Sequence, residues 1–258
     1  MLKKLLKHEF HATARIFIPA YIALLIFSVL TTLVGMIDTK NVILKLVLDI
    51  IFYAYIICAI FLILGAITMA VVRFYKNLLT TEGYLSFTLP VKVKSLIAAK
   101  VIPGVTWIVL TIILCLTSVC TVLHLGYDIN VVKVVTAELS KSGINSSVVI
   151  TLIALFIIVT MFYQLSTYFL SLSCGQMLKN KIIGSIIFYF IIYMAIEVIL
   201  VVFILAGSAF IDLETLERWL STKTGIATLF SIMSGFEIIV GCVELHLTNK
   251  MLSKRLNL

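Results

Sequence analysis

The sequence predicts an all-α membrane protein with about six transmembrane helices, and three observations predict it. Hydrophobic residues make up 62% of the 258-residue chain and charged residues 12%, against about 25% charged in an average soluble domain. The apolar residues gather into six runs, each long enough to cross about 30 Å of hydrocarbon. The charges fall mostly in the short segments between those runs. A fold in water cannot bury so much apolar surface, whereas a helix in lipid satisfies its backbone hydrogen bonds internally. The mean hydropathy of +1.20 is the same fact as one number.

Residues 1–15, wound as a helix, put Leu2, Leu5, Leu6, Phe10 and Thr13 on one side and Lys4, Lys7, His11 and Arg15 on another. That pattern predicts an amphipathic helix lying in the membrane interface, or else a cytoplasmic extension of the first span. The spans come next, at about 16–37, 42–72, 96–125, 148–176, 182–210 and 226–247, with Pro19 and Pro103 near span ends. The first run is too long for a signal-peptide core and lacks a small-residue cleavage site, so it is expected to be retained. Residues 211–224 repeat the amphipathic pattern, with Leu213, Leu216, Trp219 and Leu220 among charges. No internal repeat or low-complexity tract interrupts 1–258, and a single transmembrane domain is expected.

Lysine and arginine set the orientation. Lys3, Lys4, Lys7 and Arg15 precede the first span; Arg73, Lys76, Lys92, Lys94 and Lys100 stand between the second and third; Lys179 and Lys181 lie between the fourth and fifth; Lys250, Lys254 and Arg255 come after the last. The opposite segments mix signs. Both termini are therefore expected in the cytoplasm. The formal net charge of +8 reads as topology and headgroup contact rather than a nucleic-acid face. The five cysteines all lie within apolar runs without metal-ligand spacing, as small core or lipid-facing residues do.

The segment 73–95 is too rich in aromatic and leucine side chains for a solvated connector. Thr80 or Thr81 can cap a short helix, Glu82 suits its first turn, Gly83 permits a close approach, and Pro90 ends it. Such a helix presents Tyr84, Leu85, Phe87 and Leu89 either to a groove on a partner protein or to the headgroup layer.

The order Thr81-Glu82-Gly83-Tyr84-Leu85-Ser86-Phe87-Thr88-Leu89-Pro90-Val91, a basic spacer, then Leu96-Ile97-Ala98-Ala99-Lys100 resembles the loop between the second and third spans of type-2 ABC exporter permeases. In that family the loop carries the coupling helix that contacts the ATPase. The resemblance implies that role for Glu82, Gly83, Tyr84, Leu85, Phe87, Leu89 and Pro90. It extends along the whole chain: a basic amphipathic entry helix, six spans, an outer amphipathic segment before the last span, and a short basic tail. The outer loop 126–147 is longer than in the compact members. The resemblance further implies a permease that forms a translocation path for a peptide-like or amphipathic substrate, in a bacterial plasma membrane. The partners implied are a second permease chain, identical or related, and a P-loop ATPase that holds ATP and Mg. The chain itself has no GxxxxGK[ST] loop, so no ATPase activity, cofactor or catalytic residue is expected in it.

Polar residues inside the spans are the remaining candidates. Glu197 is expensive in hydrocarbon and either lines a substrate path or fixes helix packing by a hydrogen bond. Gln164, Ser166, Thr167, Tyr168, Ser171 and Ser173 give the fourth span a polar character that serves close packing or, with Glu197, a translocation path through Gln164 and Tyr168. Glu237 and Glu244 lie on one face of the last span. Their surroundings lack the further ligands a metal site needs, and Glu244 with His246 is expected at the inner interface near Lys250. Two other classes of function stay open: a non-transporting membrane anchor or regulator, and an intramembrane enzyme using Glu197, Glu237 or Glu244.

Overall fold

The computed structural model describes residues 2–37, 41–80, 83, 87–88, 91–141, 146–208 and 222–255. Among them there are helices and no strands. The order is α1 (Leu2–Gly35), α2 (Val42–Phe74), a π-helical turn (Tyr75–Leu79), α3 (Val93–Tyr127), α4 (Val131–Lys141), α5 (Ser146–Gly175), α6 (Lys181–Ser208) and α7 (Lys223–Arg255). Six of these are long and apolar enough to span a bilayer, and the chain is a multi-pass membrane protein.

Helix ends reflect local chemistry. Asn41, Asn130 and Thr222 each accept a backbone N–H from the first turn of α2, α4 and α7 through the side-chain oxygen, the usual duty of an N-cap. Helix α3 ends where Asp128 turns into the left-handed region at φ 55°, a conformation aspartate tolerates better than most residues. The Ile129 N–H then reaches back to the Leu123 carbonyl.

The structure chooses between the two readings of residues 1–15 and differs from the sequence expectation at two further places. The basic amphipathic stretch and the first span form one uninterrupted helix, α1, of 34 residues, about 51 Å long at 1.5 Å per residue. Its faces are as expected, with Lys3, Lys4, Lys7, His11 and Arg15 exposed, Leu2, Leu5, Leu6 and Phe10 partly buried and Thr13 buried, but Glu9 is buried as well. The second span does not stop near residue 72: Leu78 and Leu79 are buried, and their packing carries the helix through the π turn. The loop 126–147 holds α4, whose Val131, Val132, Val134 and Val135 flank Lys133 behind the Asn130 cap. The segment 211–224, with Leu213, Leu216, Trp219 and Leu220, lies for the most part outside the described residues.

The chain forms two compact units. One comprises residues 3–69 and 102–146; the other comprises residues 1–2, 70–101 and 147–258. In the first, α1 and α3 are joined by aromatic rings and hydroxyls. Phe17 stacks on Trp107 at 4.8 Å between centroids, and the Tyr21 hydroxyl is 2.7 Å from Thr111 Oγ1. Helices α2 and α3 meet through Tyr55, whose hydroxyl is 2.6 Å from Ser118 Oγ, around a core that also contains Leu24, Ala59, Cys115 and Val122.

The second unit packs the last turns of α2 and the first of α3 with α5, α6 and α7. The rings of Phe74 and Phe169 stack at 3.9 Å, and both are fully buried. Helices α5 and α6 are joined by a tight connection that only glycine admits. A Cβ on Gly175 would lie 2.3 Å from the Ser185 backbone nitrogen. Beyond this corner, from residue 186 to 207, α6 buries none of its residues within the chain. That surface belongs to lipid or to another transmembrane segment.

Candidate functional site

Two sets of sequence-selected residues fall within the second unit. In the first, the segment after α2, Gly83 and Phe87 are described, whereas Glu82, Tyr84, Leu85, Leu89 and Pro90 lie outside the described residues. Gly83 is buried and its N–H donates to the Thr80 carbonyl at 2.9 Å. A Cβ on it would meet the Leu78 carbonyl oxygen at 2.6 Å, so the backbone at Gly83 sits directly on the π turn. The Thr80 hydroxyl donates back to the Lys76 carbonyl, one of the carbonyls that a helix end leaves to be satisfied.

The second set is intramembrane. Gln164 and Tyr168, one turn apart on α5, both reach Tyr189 of α6. The Gln164 amide donates to the Tyr189 hydroxyl at 3.0 Å, and the Tyr168 ring stacks on Tyr189 at 5.2 Å. Tyr189 in turn stacks on Tyr193 at 6.2 Å. Glu197, one turn beyond Tyr193 and partly buried, interacts with the Tyr193 hydroxyl. Gln164, Tyr168 and Glu197 thus belong to one strip of polar and aromatic groups along α5 and α6.

An adjoining stripe of α5 carries a pairing that the sequence alone does not assemble. Thr160 Oγ1 stands 2.8 and 3.1 Å from the two carboxyl oxygens of Glu237. Thr167 Oγ1 stands 3.1 Å from Glu244 Oε2. Both pairs are separated by 77 residues, so α5 and α7 run parallel in one register, with a Thr–Glu rung every second turn. Glu244 is only 3% exposed. The residue turns toward α5, where Thr167 offers a donor. His246, two residues on, is exposed.

Tyr163 sits on α5 between the rungs, near enough to Glu244, Glu197 and Glu237 to feel their charge. A matching seven-residue spacing, Thr160 to Thr167 and Glu237 to Glu244, was the available signal. It needed the knowledge that the fourth and sixth spans are neighbours. Among the described residues no group of three or more His, Cys, Asp or Glu side chains could hold a metal, and the five cysteines are free.

No protein-family model matches the chain, and no curated protein or solved structure does either. What the molecule does must therefore be argued from its own residues.

Proposed function

We propose that this chain is the transmembrane permease subunit of a type-2 ATP-binding-cassette exporter. In this reading both termini are cytoplasmic, residues 82–90 form the coupling helix that meets a separate P-loop ATPase, and the polar strip of Gln164, Tyr168 and Glu197 lines the path. ATP and Mg are held by the ATPase, and a second permease chain, the same or related, completes the pore in a bacterial plasma membrane. The substrate is peptide-like or amphipathic.

The observation that carries this reading is the segment between the second and third spans. It concentrates Tyr84, Leu85, Phe87 and Leu89 in a stretch flanked by basic residues, where a plain connector would be polar. Its mounting supports the same role. Gly83 rests on the buried Leu78 turn, and Phe74, one turn earlier, is stacked on Phe169 of α5. A push on the segment would be delivered to packed helices, which respond as rigid bodies rather than by bending. Alternating access driven by ATPase closure needs that kind of connection.

Co-purification in mild detergent with P-loop ATPases from the same cell tests the proposal. The wild type is expected to retain an ATPase, and a still-folded Tyr84→Ala, Phe87→Ala double variant to lose it. If the intact wild type retains none, ATP-driven transport is excluded, and a membrane anchor or regulator becomes the better account.

A further inference from the structure

The rungs between α5 and α7 look alike but are not equivalent. Thr160 directs its hydroxyl to both oxygens of Glu237 and, among the described residues, makes no other side-chain hydrogen bond. Thr167 is contested. Its Oγ1 stands 3.1 Å from the Tyr163 carbonyl oxygen and 3.1 Å from Glu244 Oε2. A threonine hydroxyl has one hydrogen to give, although it can accept at the same time. If Thr167 donates to Glu244, it forgoes the Tyr163 carbonyl. If it donates to that carbonyl, its remaining contact with Glu244 is a hydrogen bond only when Glu244 supplies the hydrogen, which requires a protonated carboxyl. One proton therefore separates two complete arrangements of the same atoms.

A second observation comes from the other oxygen. Glu244 Oε1 is buried and has no hydrogen-bond partner among the described residues, in a side chain 3% exposed. An ionised carboxylate oxygen left without a donor in a low-dielectric interior is costly. A proton taken up by the carboxyl, held on Oε2 where it faces Thr167, removes the charge from both oxygens, and intramembrane carboxyls that gain and lose protons are a recurring device of transport proteins. Among the described residues, Tyr163 of α5 lies near Glu244 and also within electrostatic reach of Glu197 on α6 and Glu237 on α7. Glu237 is partly exposed and lies two turns, about 10.5 Å, along the helix.

We infer that Glu244 is an exchangeable proton-binding site within the membrane, with Thr167 as the hydroxyl that changes partner and Glu237 as the neighbouring, more accessible carboxyl. On protonation an O–H bond forms on Glu244, its negative charge is cancelled, and Thr167 turns its hydrogen to the Tyr163 carbonyl. On release the proton returns to water and Thr167 turns back. The inference is independent of any ATPase and would hold for a transporter or for a regulator that senses acidity.

Infrared difference spectroscopy of the full chain in lipid nanodiscs, titrated from acid to alkaline pH in sodium-free buffer, tests it. The wild type is expected to show a protonated-carboxyl C=O band that disappears as pH rises. Glu244→Gln, nearly isosteric and still able to accept from Thr167, should lose that band, while Glu237→Gln retains it. Thr167→Val should keep the band but move its frequency toward that of a free carboxyl, which serves if the glutamine variant does not fold. A band that persists in folded Glu244→Gln, or that never responds to pH, overturns the proposal. So does a wild-type band that vanishes on adding sodium at fixed pH, which would make the site one for a metal cation.

Discussion

Phe74 and Phe169 lie face to face, their ring centroids 3.9 Å apart and their planes 10° from parallel, with neither side chain reaching the surface. The first closes the second span and the second belongs to the fourth. This stack fixes the base of the segment at 82–90 to α5. In lipid, helices gain nothing from hiding apolar groups from water, and their association rests on close packing. The pair is therefore a principal joint of its unit.

Phe169→Ala should weaken that unit strongly. Truncating a buried phenylalanine costs about 3–5 kcal/mol in well-packed cores. The expected outcome is a clear fall in the thermal midpoint of monodisperse protein in detergent, with Phe169→Leu falling much less.

Gly83→Ala separates mounting from stability. The added methyl would stand 2.6 Å from the Leu78 carbonyl oxygen, which is backbone and cannot swing aside. The segment must lift from the π turn. ATPase retention should fall at least as far as in the Tyr84→Ala, Phe87→Ala variant, while the thermal midpoint changes little, because the spans do not depend on this contact.

Gly175→Ala should act on the fold itself. Its methyl would fall 2.3 Å from the Ser185 nitrogen and 2.3 Å from Ser185 Oγ, forcing α5 and α6 apart at their connection. Overpacking of this kind costs about 1–3 kcal/mol. Faster proteolysis at residues 176–180, compared with wild type, is the measurement.

Tyr55→Phe should be mild. It keeps the buried ring and removes only the 2.6 Å hydroxyl contact with Ser118; side-chain hydrogen bonds within membranes average about 0.6 kcal/mol. Tyr55→Ala, which empties the centre of the core formed with Leu24, Ala59, Cys115 and Val122, should cost several times more in chemical unfolding.

The spans were legible because hydropathy is local: a run such as 182–210 announces itself without reference to any other part of the chain. The polar and basic faces of residues 1–15 were legible for the same reason, by helical periodicity. The joining of that stretch to the first span was not, since an interfacial helix and a straight extension share one pattern. The π turn at Tyr75–Leu79 and the burial of Gly83 against Leu78 were also hidden, because the stacking of Phe74 on Phe169 and the close approach of Gly83 to Leu78 arise only when the helices assemble.

By itself the sequence determined that this chain is a helical membrane protein, where its spans fall, and which polar residues hydrocarbon would make costly. Only the tertiary structure decided what those residues do to one another. Gln164 and Tyr168 turn to Tyr189 on α6, while Thr160 and Thr167 turn to Glu237 and Glu244 on α7. The reason is physical. Transfer into lipid is a sum over a segment's own side chains, whereas a hydrogen bond needs two groups within about 3 Å, and the partners here are 25 and 77 residues apart.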